Sequence, residues 1–71
     1  MVTNHKLRML DYDEIEQYFQ LILNSKAQGL HAKTLELWVD LSPDQKEMFK
    51  DWFTNNGTFT ELYNLLQYFE G

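Results

Sequence analysis

The sequence predicts an all-α protein, a small single-domain bundle of three to four short helices at about 11–27, 30–40, 43–56 and 59–70. Three observations carry this. Helix-start signals stand before three of the four segments. Apolar residues recur at spacings of three and four within them, as one face of a helix requires. And 71 residues with 44% apolar and 15% aromatic content and no cysteine fit one domain held by packing alone.

The first segment opens on Asp11 and Glu14, a capping-box pattern, with Leu10 and Ile15 placed as a hydrophobic staple. Ile15, Tyr18, Phe19 and Ile22 form its apolar face, and Gly29 supplies a left-handed stop. Residues 1–9 are expected to be flexible. The second segment is the most ambiguous, because Leu35, Leu37, Val39 and Leu41 alternate with polar or large residues at a period of two. A lone strand has only the short stretch 6–10 to pair with, so a helix over 30–40 is preferred. Ser42-Pro43-Asp44-Gln45 is the clearest start signal: Ser caps, Pro takes the first helical position, and Asp44 complements the helix dipole. Met48, Phe49, Trp52 and Phe53 then make an apolar face that ends at Asn55-Asn56-Gly57. Thr58 and Glu61 form another box, before a helix built on Phe59, Leu62, Leu65, Leu66 and Phe69. Asn56-Gly57 is also a hairpin signal, but helical spacing continues on both sides of it.

Eleven acidic residues face six basic ones, giving a formal charge of −5, and no Lys or Arg follows Lys50. Such a surface repels phosphate backbones and anionic membranes, so direct nucleic-acid binding and membrane association are not expected. No stretch reaches the roughly 20 apolar residues that a membrane span needs, and residues 1–10 do not resemble a secretory signal, so a cytoplasmic location is expected. Without cysteine, and with His5 and His31 far apart, no zinc site is expected. Counted from Asp11 as a calcium loop, position six is Glu16 and position twelve is Ile22, so that motif fails. No glycine-rich phosphate loop is present, and the carboxylates Asp11, Glu14, Asp44 and Glu61 already serve helix starts. Nothing points to an enzyme, a metal or a cofactor.

What rises above background is the width of the apolar faces. On a helical wheel the last segment is apolar over about 160°, and Tyr68 extends the arc to about 220°, where a one-sided surface helix needs little more than about 100°. Leu21 falls about 60° outside the arc of the first helix. Leu21, Trp38, Trp52, Tyr63 and Tyr68 are therefore candidate partner-binding residues, since aromatic side chains are enriched at interfaces. Asp13 and Glu16 supply an acidic rim that would steer the patch toward a basic surface. The expected function is a non-enzymatic interaction module that docks on and modulates or inhibits a larger protein with a basic surface, such as a nucleic-acid enzyme. The alternative is a self-associating homodimer joined through its apolar faces.

The run Leu41-Ser42-Pro43-Asp44-Gln45-Lys46, continued through Asp51, Phe53, Tyr63 and Leu66, resembles the carboxyl-terminal helices of small phage anti-sigma proteins. The resemblance covers under half the chain and rests on residues that capped amphipathic helices share. It implies that this composition suits a protein that inhibits by docking.

Overall fold

The computed structural model describes residues 1–56 and 59–70, and the described elements are all helices. In order they are α1 (Asn4–Met9), α2 (Ile15–Ala27), α3 (His31–Val39), α4 (Pro43–Asn56) and α5 (Phe59–Glu70). The all-α class is as expected, with one helix more than foreseen.

The additional helix is α1. Residues 1–9, expected to be flexible, instead hold a capped turn of helix, with the Lys6 backbone N–H donating to Thr3 Oγ1 at 3.1 Å. Val2 and Leu7 are buried in the core. The segment stays down because a buried side chain reads its backbone: Val2 N–H donates to Gln45 Oε1 at 2.9 Å, and Gln45 Nε2 donates to the Val2 carbonyl at 2.6 Å. Lys6 pairs with Asp40 at the end of α3.

The presence of α1 changes how α2 begins. Asp11 is not its cap; it sits at φ 61° as the left-handed residue that ends α1. The Asp11 N–H donates to the Arg8 carbonyl at 3.0 Å and the Tyr12 N–H to the Leu7 carbonyl at 2.8 Å, the paired bonds of a Schellman ending. The start signal moves three residues on, where Gln17 Oε1 accepts from the Glu14 N–H at 3.0 Å and the Asp13 N–H at 2.6 Å. Leu10, placed as a staple by the sequence, is exposed. At the far end of α2 the same ending recurs as expected. Gly29 has φ 77°, with bonds of 3.0 Å from Gly29 N–H to Lys26 and from Leu30 N–H to Ser25.

The period-two stretch is helical. Thr34, Trp38 and Leu41 are buried, at spacings of four and three, while Val39 is exposed, so the helical period decides which side chains go inside. The Thr34 hydroxyl donates to the Leu30 carbonyl at 2.7 Å, which removes the cost of burying it. Helix α4 starts as predicted: Gln45 N–H donates to Ser42 Oγ at 3.2 Å, and Ser42 N–H to Gln45 Oε1 at 3.0 Å. The expected stop at Gly57 and cap at Thr58 lie outside the described residues.

Helix α2 packs on α3 and α4, and α4 packs on α5. The core between them is aromatic, with Phe49 at its centre. Its ring lies 5.3 Å from Phe19 and 5.4 Å from Trp38, edge to face in both cases. Trp38 in turn stacks flat on Phe69 at 4.3 Å. Such pairs add about 0.5–1.5 kcal/mol each beyond the area they bury.

Candidate functional site

The candidate contact residues fall into three groups. Trp38 is removed from the surface altogether: it is 2% exposed and fully engaged by Phe49 and Phe69, so it is a core residue and not a contact for a partner. Leu21 and Trp52 are partly buried and pack against the core, Trp52 at 5.6 Å from Phe19 and 5.9 Å from Phe49. Tyr63 and Tyr68 remain at the surface of α5, Tyr63 exposed and Tyr68 half-buried. Five residues apart, they point about 140° away from each other around the helix, so they do not share a face.

Tyr68 lies on a groove. Between the end of α2, the end of α4 and the face of α5 is an open depression of about 500 Å³. Leu23, Ala27, Phe53 and Leu65 line it with apolar surface, and Lys26, Glu61, Asn64 and Tyr68 add polar groups. The volume is within the range of ligand and peptide clefts. Tyr68 on its rim ties α5 to both α3 and α2. The Tyr68 hydroxyl is hydrogen-bonded to His31 Nδ1 at 2.6 Å, and the two rings meet edge to face at 5.2 Å. Lys26 Nζ lies 5.0 Å from the centre of the Tyr68 ring, a cation–π contact. Tyr68 is thus held by both flanking elements where it lines the groove.

The acidic rim is elsewhere. Asp13 is exposed and Glu16 half-buried at the start of α2, whereas the groove is bordered by Lys26 in its last turn. Ten helical residues separate Glu16 from Lys26, about 15 Å along the axis. Asp13 instead borders a smaller cavity of about 290 Å³ with Asn4, Leu7, Arg8 and Tyr12. The charge of the chain can steer an approaching partner, but these two carboxylates do not line the groove.

The titratable group most displaced from its ordinary behaviour is structural. Burial pushes the Tyr18 phenol well above its ordinary value of 10.0, and the carboxylates of Asp40 and Glu36 push it the same way. Its hydroxyl donates to the Leu37 carbonyl at 2.8 Å, and Lys6 Nζ lies 5.8 Å from its ring. Among the described residues no three His, Asp or Glu side chains stand close enough together to hold a metal ion.

The sequence reading missed the groove, although one signal for it was present. Leu23 and Phe53 each close one side of their helices' apolar arcs. The contacts of Lys26 and His31 with Tyr68 are not legible locally, because Tyr68 is about 40 residues away in the chain. Comparison of the chain with protein-family models, with curated proteins and with solved structures finds no match. Among the described residues no helix is long and apolar enough to cross a membrane.

Proposed function

We propose that this chain is a non-catalytic interaction protein that docks on a larger protein through the groove between α2, α4 and α5 and thereby modulates or inhibits it. The observation that carries the reading is the open groove lined by Leu23, Phe53 and Leu65, with Tyr68 on its rim held by His31 and Lys26. An anchor side chain of a partner entering between Leu23, Phe53 and Leu65 would be desolvated on three sides, the setting in which interface energy concentrates. The formal charge of −5 favours a partner with a basic surface, since long-range attraction raises the encounter rate.

The test uses two substitutions on opposite sides of α5. Asn64 is exposed at the groove, so Asn64→Arg obstructs the depression without entering the core. Tyr63→Ala removes an exposed ring that faces away from it. A tagged chain is expected to retain a stoichiometric partner from a lysate, with retention falling at least tenfold for Asn64→Arg and unchanged for Tyr63→Ala. Added salt is expected to slow association with the wild-type chain. Equal retention by the two variants would remove the groove from the reading.

A further inference from the structure

We propose that residues 1–9 exchange between two copies of this chain, the arm of each docking its Val2 against Gln45 and its Lys6 against Asp40 of the other. This goes beyond the groove and does not depend on it. The docking site is defined by its present occupant. Val2 is 3% exposed, and both its backbone polar groups are bonded to the buried Gln45 side chain, 43 positions away. Lys6 pairs with Asp40, 34 positions away. None of these ties requires that the arm and its site belong to one chain. An identical segment from a second copy satisfies the same donors and acceptors, which is the condition for exchange at little cost in contacts.

The connection supplies a reason to open. Residues 10–14 join α1 to α2, and within them Asp11 is held at φ 61°, a conformation that side-chain-bearing residues enter at a cost. Extending the hinge relieves that conformation and gives up the local bonds from Asp11 to Arg8, from Tyr12 to Leu7 and from the Asp13 and Glu14 N–H groups to Gln17, whose groups turn to water, together with the packing of Tyr12 on the core. Fully extended, five residues reach about 17 Å. A short hinge under strain, carrying a segment whose side-chain anchors are distant in sequence, is the arrangement that invites swapping. The second copy thereby contributes to the core of the first, with its own Val2 and Leu7 in place of the resident pair.

Reciprocal charge reversal tests the exchange. The Lys6 and Asp40 side chains are 38% and 44% exposed, so Lys6→Asp and Asp40→Lys each replace an accessible pair with a repulsive one and leave the buried core intact. In either variant alone, both the closed monomer and the exchanged dimer carry like charges at this contact. When the two variants are unfolded together and refolded, exchange restores an opposite pair at both sites of the mixed dimer. Light scattering is expected to give twice the chain mass for the co-refolded mixture, with each variant alone giving a smaller dimer fraction. The double variant, Lys6→Asp with Asp40→Lys, regains the pair within one chain and is expected to return to the wild-type distribution. Its far-UV circular dichroism checks that the reversed charges are compatible with the fold. A co-refolded mixture that stays at the mass of one chain up to millimolar concentration, while the double variant is folded, would overturn the proposal.

Discussion

Asp11 and Gly29 hold nearly the same backbone shape, at φ 61° and 77°, and each ends a helix with the same pair of bonds. One position has the residue suited to that shape and the other does not. A Cβ added at Gly29 meets no atom within 4 Å, so substitution there is opposed by backbone conformation alone. Gly29→Ala is expected to lower stability by about 1 kcal/mol, the left-handed penalty less the entropy removed from the unfolded chain. Asp11→Gly should move the other way, by about +0.5 kcal/mol, because relief of the penalty exceeds the entropy that glycine adds to the unfolded state. Urea unfolding with an unchanged m-value measures both. A loss for Asp11→Gly would show that the aspartate contributes locally more than its conformation costs. Had Asp11 been the cap of α2, as Asp11-x-x-Glu14 suggests, glycine would have cost a few tenths of a kcal/mol instead.

Helix α3 shows what a sequence holds and omits at the scale of an element. Its leucines alternate, yet its buried residues are Thr34 and Trp38, which no pattern of leucines marks. The helix was legible through length and the lack of a strand partner, but its inward face was set by what waits there, the rings of Phe49 and Phe69. The starts of α2 and α4 were legible to within a few residues because caps are local chemistry. Helix α1 was not, since its anchors are Gln45 and Asp40, and the groove was not, since Tyr68 finds its partners on α2 and α3. The last turn of α3 also needs a donor from outside, because final carbonyls have none within the helix. Tyr18 gives one to Leu37. Tyr18→Phe is expected to cost about 1–3 kcal/mol near neutral pH by leaving that carbonyl unpaired. The phenol's folded value is raised, so the unfolded chain releases the proton first. The stability Tyr18 gives is complete below pH 10.0 and declines as pH rises from there toward the folded value. The difference between wild type and Tyr18→Phe should therefore narrow above pH 10 by about 1.4 kcal/mol per unit. A difference that stays constant from pH 7 to 11 would contradict this assignment.

At the scale of the molecule, one side chain joins nearly everything. Phe49 lies 5.3 Å from Phe19 on α2, 5.4 Å from Trp38 on α3 and 6.1 Å from Phe69 on α5, with Trp52 and Phe53 of its own helix at 5.9 and 6.0 Å. Four helices thus meet at one ring, which is 0% exposed. A chain of this length has about 4–11 kcal/mol of stability in total. Truncating a buried phenylalanine costs about 3–5 kcal/mol in lost burial and residual cavity, a large share of that total. Phe49→Ala is therefore expected to abolish fixed tertiary structure throughout. Near-UV circular dichroism should be lost, and the fluorescence of Trp38 and Trp52 should shift together to longer wavelength. Phe49→Leu keeps most of the volume and is expected to cost no more than about 1.5 kcal/mol, with a single sharp transition. The alternative is a molecule of two parts, α2 with α3 and α4 with α5, joined loosely at the middle. Phe49→Ala would then melt in two steps, with Trp38 staying protected after Trp52 is exposed. Coincident loss of both tryptophan signals distinguishes one cooperative unit from two, and the position of Phe49 between all four helices predicts coincidence.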